Sequence, residues 1–378
     1  MTGISLAEGD ERRRELGTPE GQQRVCDWFY PRARDRGYPL AVVDEVWQVL
    51  RAFASFGFCK AHATAFALPT YQSAWLKAHY PAFFLAGVLN HDPGMYPKRL
   101  ILDEVRQWGI PIVGIDVNHS DREYRVSKKD DGFAIRLALT ELQGISEGEV
   151  VSIIDHRPYS DLTDFIYRSG ASRPIAEALI LVGGFESIYG IDANPRDLLL
   201  HLGDIYRLSQ SKEPKISPGQ ISLGFRPEFQ VSGLPNLTKG EQVRNEIDLL
   251  GMEVSHHLME FYADFLNQIG AVRSSDLLKL RSQSEVLVAG VKVALQTPPI
   301  RSGERVIFLT LSDGYGCSDI TFFADAQEHS AELLYSSSLL LVRGVTRRTG
   351  ARGISLRALR AWDLAHSYER WRSVAVCE

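Results

Sequence analysis

The 378-residue sequence is long enough for two or three domains with separate cores, and its 44% hydrophobic and 24% charged residues suit a soluble globular chain. A net charge of -5 excludes a uniformly basic surface, so any contact with nucleic acid must be local. Cys26, Cys59, Cys317 and Cys377 have no C-x-x-C spacing, no run nears the roughly 18 apolar residues of a membrane span, and the N-terminus lacks a signal-peptide core. Free thiols in a reducing compartment, hence a cytoplasmic protein with no membrane contact, are expected, and a zinc site or disulfide scaffold is not.

Along the chain, "SLAEGDERRREL" starts a helix at once, with Ser5 as N-cap and Glu8 as its capping-box partner. Such a start fits a piece of something longer and an ordinary helical N-terminus equally. Residues 1 to about 110 read as helical, with Val42, Val43, Val46, Leu50 and Phe53 at helical spacing. Gly57 breaks that helix and another begins near Lys60. Pro69 fits a first helical turn, which predicts two helices meeting at Leu68–Thr70, and Pro81 opens a third. Lys60 and His62 stand at the mouth of this apolar segment, where they either cap a buried helix or face a charged ligand.

The texture then changes to β-branched runs, and "KKDDGFAIRLAL" predicts a hairpin turning at Asp131-Gly132. Short helices with tight glycine junctions return from Thr140 to about Leu202. Residues 208–240 are rich in Pro, Ser and Gly and read as a linker, followed by a helical stretch from Lys239 to Leu280. The last hundred residues hold five strand-like runs with a helix between the third and fourth. That is the order of an oligonucleotide/oligosaccharide-binding barrel. The fold class expected is therefore multidomain, mainly α in its first two-thirds with a helix-hairpin-helix region, then a five-stranded β-barrel.

No D-x-D pair, H-E-x-x-H, Walker-A loop or G-x-S-x-G elbow occurs, and the histidines do not cluster at ligand spacing. The chain assembles neither a metal site nor a nucleophilic one from these motifs. "LALTELQGISEGEVVSII" looks like a helix-hairpin-helix unit, with Gly144-Ile145-Ser146 where Gly-hydrophobic-Gly is usual. Small residues there expose backbone amides at a helix N-terminus, so Gly144, Ser146 and Gly148 are candidate phosphate contacts. The Cβ of Ser146 works against close approach, and a purely structural hairpin is the other reading. "ALILVGGFESI" repeats the same texture.

In the linker, Gln220, Leu223 and Phe225 of "GQISLGF" present a polar group and two apolar anchors on an extended segment, a pattern that suits a partner's pocket. From Arg343 to Arg360 there are six arginines (Arg343, Arg347, Arg348, Arg352, Arg357, Arg360) and no acid. On a barrel rim such a strip can track a single-stranded backbone, though charge runs also form plain solvated faces. Tyr315, Phe322 and Phe323 could stack bases, with alternation turning some of them inward.

Taken in order, "FASFGFCKAHATAFALPTYQSAWLKAHYPAFFLAGVLN", "HDPGMYPKRLILDEVRQWGIPIVGIDVNHS" and "LQGISEGEVVSIIDHRPYSDLTDFIYRSGASRPIAEALILVGGFESI" closely resemble the bacterial C-family DNA polymerases, the replicative alpha subunit and its error-prone relative. "HDPGMYP" and "RPYSDLTDF" lean toward the error-prone branch. The resemblance implies the end of the fingers at 1–120, a helix-hairpin-helix region at 121–207, a linker with a clamp-binding motif and a helical segment at 208–280, and the barrel at 281–378. It implies that Lys60 and His62 face a nucleotide phosphate. Gly144, Ser146, Gly148, Arg343, Arg347, Arg348 and Arg352 would face primer-template duplex and single-stranded template, and Gln220, Leu223 and Phe225 a sliding clamp. The family's phosphoesterase-like domain and its palm, with the metal-binding aspartates, have no counterpart in this sequence. Magnesium is therefore expected in the intact polymerase and no cofactor in this chain, and a separate chain could supply the palm. The rival readings are a stand-alone DNA-binding accessory protein and a gene remnant without a role.

Overall fold

The structure is a computed structural model, and it describes residues 1–54, 60–92, 94, 96–129, 132–210, 229–298, 305–348, 350 and 353–375. Asp131, Gln220, Leu223, Phe225 and Arg352 lie outside the described residues, as do the side chains of Lys60 and His62. The chain divides into two compact units, Met1–His79 and Tyr80–Glu378.

The first unit holds α1 (Leu6–Glu15), α2 (Pro19–Asp35), α3 (Leu40–Ala54) and α4 (Lys60–His79). The capping box forms as the sequence predicts: the Glu8 N–H donates to Ser5 Oγ, and Glu8 Oε2 accepts the Ser5 N–H at 3.0 Å. Apolar residues at helical spacing bury Val25, Phe29 and Ala33 of α2 against Val43 and Trp47 of α3. Phe29 and Trp47 stack with centroids 6.0 Å apart. One expectation is corrected. Pro69 does not separate two helices, because α4 runs through it from Lys60 to His79. An interior proline loses its own N–H bond and crowds the carbonyl four residues back, a cost this helix accepts without breaking; next to it Thr70 Oγ1 donates to the Phe66 carbonyl at 2.7 Å. α4 exposes several large apolar residues, with Leu68 63% and Tyr71 76% exposed.

The second unit opens with α5 (Pro81–His91) and α6 (Lys98–Gln107), then a small sheet of β1 (Ile112–Val113), β2 (Arg125–Lys129) and β3 (Gly132–Arg136). β2 and β3 pair antiparallel as expected, but Gly132 lies opposite Lys129 as the first residue of β3 and not in the turn, which corrects the Asp131-Gly132 placement. β1 adds to β3 in parallel. A 3₁₀ turn at Leu139–Glu141 leads to α7 (Glu147–Asp155), α8 (Leu162–Ser169), α9 (Arg173–Leu181), α10 (Glu186–Tyr189) and α11 (Pro195–Gln210). One core joins these to α5 and α6, with Leu85, Leu102, Ile135, Leu142, Ile153, Phe165, Leu179 and Phe185 all buried.

The stretch after the linker is shorter in helix than the sequence predicts. α12 (Lys239–Leu250) ends at Gly251, whose φ of +69° suits glycine. Only 3₁₀ turns at Leu258–Tyr262 and Ser274–Lys279, with α13 (Ala263–Gln268) between them, follow before the barrel. The described end of the linker is tied down: Ser232 Oγ donates to Asp197 of α11, and Asn194 Nδ2 donates to the Leu234 carbonyl at 2.7 Å.

The barrel consists of β4 (Glu285–Gln296), β5 (Ile307–Ser312), β6 (Cys317–Phe322), β7 (Leu339–Arg348) and β8 (Ile354–Asp363), with α14 (Ala324–Gln327) and α15 (Ala331–Ser336) between β6 and β7. α16 (Leu364–Ala375) follows β8. The sheet closes in the order β4-β5-β6-β8-β7, consistent with the oligonucleotide/oligosaccharide-binding fold read from the sequence. Closure demands two close backbone crossings. A Cβ on Gly290 would lie 2.7 Å from the Ser312 carbonyl, and one on Gly344 would lie 2.8 Å from that of Arg357. Phe322 faces the barrel core and Phe323 faces out, as alternation requires.

Candidate nucleic-acid interface

The first hairpin runs from the 3₁₀ turn through Gly144-Ile145-Ser146 into α7. Gly144 takes φ +82°, and the Gln143 N–H anchors the turn to the Leu249 carbonyl at 2.8 Å. Ser146 is the N-cap of α7, but its own N–H is donated to Glu149 Oε2 at 3.0 Å. Ser146 therefore does not offer its amide to a ligand while that carboxylate stays in place. Among the described residues the Glu147 and Gly148 N–H groups donate to nothing, and a Cβ on Gly148 would meet open space. These two first-turn amides are free donors of the kind a helix N-terminus can offer to an anion. Arg122 stands beside them, 3.0 Å from Glu147.

Glu149 also accepts from the Ser172 N–H at the start of α9. Its partial burial would raise its pKa, but the donors of Ser146 and Ser172 outweigh that and hold it at about 2.

The second hairpin joins α9 to α10 through Gly183 and Gly184. A Cβ on Gly184 would lie 2.9 Å from the Leu179 carbonyl, so the turn needs glycine there. The start of α10 is already filled by the buried carboxylate of Asp116. Asp116 accepts the Ser187 N–H and hydroxyl, each at 2.9 Å, the Asn118 N–H at 2.9 Å, and a contact from His119 Nδ1 at 2.8 Å. Burial opposes ionisation of Asp116, yet the Ser187, His119 and Asn118 donors keep its pKa below the usual value. This hairpin is locked from within.

On the barrel the arginine strip separates into individual roles. Arg343 pairs with Glu285 on the neighbouring strand, and Arg357 with Asp325 at 2.8 Å. Arg348 donates to the carbonyls of Leu278 and Leu280. Arg360 lies over the Trp362 ring at 5.6 Å, and Arg347 is exposed with no ion pair among the described residues. The sequence shows no acid within the strip, but the fold brings acids to it from far along the chain.

Sequence reasoning missed a second feature of the same barrel. Phe308, Thr321 and Arg357 stand side by side on the outer face of β5, β6 and β8. Phe308 is 43% exposed, and Arg357 lies over the exposed ring of Phe323 at 5.6 Å. The signal was available: an aromatic at the outward position between inward Ile307 and Leu309 breaks the apolar-in, polar-out alternation. Exposed aromatics beside an arginine can stack unpaired bases.

The barrel docks on α6. Arg99 Nη2 donates to the Lys292 carbonyl at 2.7 Å, and Ser312 Oγ donates to Asp103 Oδ2 at 3.3 Å. His257 Nε2 lies 3.6 Å from the same carboxylate, while its Nδ1 accepts the Met259 N–H, which places a ring proton on Nε2. Burial pushes the Asp103 pKa up against the opposing pull of His257 and Arg106. Among the described residues no group of three or more His, Cys, Asp or Glu is arranged to hold a metal ion.

The helix-hairpin-helix motif family model matches residues 109–194, which include both hairpins. The error-prone DNA polymerase of Bdellovibrio bacteriovorus is 30% identical over 363 residues, covering 91% of this chain and 34% of that protein. The error-prone DNA polymerase of Symbiobacterium thermophilum is 28% identical, over 96% of this chain and 37% of its own. The DNA polymerase III subunit alpha of Pseudomonas aeruginosa is also 28% identical, over 96% and 33%. The chain is a homologue of these polymerases. It spans about a third of the length of the curated relatives it matches. Among solved structures, an OBody NL8 bound to hen egg-white lysozyme is 21% identical over 21% of this chain and 91% of its own, with a TM-score of 0.18, too low to argue from. No helix among the described residues is long and apolar enough to cross a membrane.

Proposed function

We propose that the chain is the DNA-gripping and clamp-tethering part of a bacterial C-family DNA polymerase of the error-prone or replicative alpha type. It would act in replication and in damage-tolerant repair synthesis in the cytoplasm. The observation that carries this reading is homology to such polymerases along 91% of the chain, in register with paired hairpins followed by a closed barrel.

In this reading the hairpin at Gly144, Ser146 and Gly148 grips the duplex through first-turn amides. Arg343, Arg347, Arg348 and Arg352 follow the single-stranded template. Lys60 and His62, at the N-terminal end of α4, face the phosphates of an incoming nucleotide, where the helix dipole and a cation act together. Gln220, Leu223 and Phe225 dock in the sliding clamp. Two-metal phosphoryl transfer, with magnesium, belongs to carboxylates on a polypeptide carrying the remaining two-thirds of the relatives' length.

The test is a pair of measurements on the purified chain. Fluorescence anisotropy with a primer-template should show salt-sensitive binding. Primer extension with magnesium or manganese and all four deoxynucleotides should show no incorporation until a polypeptide carrying the polymerase palm is added. Template-directed extension by the chain alone, or no affinity for DNA at low salt, would overturn the proposal.

A further inference from the structure

A cleft of about 610 Å³ opens where α6 meets the barrel, a volume within the range of about 300–1,000 Å³ common for small-ligand sites. Met259, Leu266 and Val272 give part of its lining an apolar character. Gln107 and Asn267, both exposed, also line it, and their side-chain amides can both donate and accept. At the mouth the Arg273 guanidinium lies 4.4 Å over the ring of Tyr315, which sits in the β5–β6 turn and is 51% exposed.

The carboxylates around the cleft already have hydrogen-bond or ion-pair partners. Asp103 is held by Arg106 at 2.7 Å, Glu260 by His256 at 3.0 Å, and Asp313 by the N–H and hydroxyl of Ser274 at 2.7 and 2.6 Å. Three carboxylates on the lining disfavour a phosphate deep inside. A partly apolar lining, two amides and an arginine-backed aromatic ring instead suit a flat, uncharged group with hydrogen-bonding edges.

We propose that this cleft takes one unpaired base of a nucleic-acid strand crossing from the hairpin region to the barrel. The base stacks on Tyr315, whose ring Arg273 braces, and its edge meets Gln107 and Asn267. The proposal rests on the DNA-binding reading above and adds to it a base pocket separate from the outer barrel face of Phe308 and Arg357.

The experiment uses the full chain and three probes: a blunt hairpin duplex, the same duplex with a thymidine tail, and one with an abasic tail of equal length. The parent should bind the thymidine tail about tenfold or more tightly than the abasic tail, as stacking one base allows. Tyr315→Ala should cut that difference several-fold by removing the ring, and Ala263→Trp should do so by filling the cleft, whatever the outer face of Phe308 contributes. Blunt-duplex affinity should stay at the parent's level in both variants. Equal affinity of the parent for both tails, with blunt-duplex binding intact, would remove the pocket and leave the DNA-binding reading standing. A tenfold preference that survives in both variants would remove the pocket equally. Displacement of the tail preference by micromolar thymidine monophosphate would reassign the cleft to free nucleotide and overturn the strand assignment. Absence of binding to all three probes would overturn both readings.

Discussion

The carboxylate of Glu149 on α7 caps α9 through Ser172: its Oε1 accepts the Ser172 N–H at 3.0 Å and the Ser172 hydroxyl at 2.7 Å. The other oxygen serves Ser146 in the same way, so one side chain closes the N-termini of two helices. An acid three residues after Ser146 therefore has a structural reason: Glu149 answers backbone donors that a phosphate would otherwise meet.

Glu149→Ala should cost about 1–2 kcal/mol at pH 7, the range for removal of a helix cap, measured by urea unfolding. The folded pKa of about 2 lies below the ordinary 4.5, so the contribution is present above pH 4.5 and is lost as the pH falls toward 2. The stability gap between parent and variant should therefore narrow below pH 4.5. A gap that holds constant from pH 6 down to the lowest pH at which both proteins fold would show that ionisation of Glu149 does not matter.

Two glycines separate structure from binding. Gly184→Ala forces a Cβ to within 2.9 Å of the Leu179 carbonyl and should cost about 1–3 kcal/mol. Gly148→Ala meets open space and should leave stability within about 0.5 kcal/mol of the parent. If the first-turn amides hold a phosphate, the same Gly148→Ala variant should bind duplex several-fold more weakly, because a methyl group stands in the approach. Unchanged duplex affinity would take Gly148 off the interface.

The arginines should differ by neighbour. Arg347→Glu should weaken single-strand binding and reduce the salt slope by roughly 0.7 for each phosphate no longer neutralised. Arg343→Gln should change binding less, since Glu285 already holds that guanidinium. Arg348→Ala should cost about 1 kcal/mol of stability by leaving the Leu278 and Leu280 carbonyls without their donor. Equal weakening of DNA affinity by all three changes would restore the picture of a uniform basic strip.

Clamp tethering is testable without reference to the fold. Leu223→Ala combined with Phe225→Ala should abolish co-elution with a sliding clamp, because a few apolar anchors dominate such contacts. DNA affinity should be unaltered. Retention of clamp binding by the double variant would discard the motif.

The sequence by itself determined which elements form and in what order. Periods of two and 3.6, Ser5 with Glu8 and the glycine turns act over a few residues, so the five barrel strands, the two hairpins and the helix between the third and fourth strands were legible, though that helix is split into two short ones. Pro69 shows the edge of that legibility, because a helix tolerates one missing bond and local sequence alone does not reveal it. What only the tertiary structure decided was which partner each charge meets. Glu285 is 58 residues from Arg343, Asp325 lies 32 from Arg357, and Asp103 is 209 from Ser312. Groups at such separations meet only after barrel closure and docking have fixed their positions. A run of arginines in sequence is therefore an inventory of cations, and the fold alone determines which of them remain free to meet a phosphate.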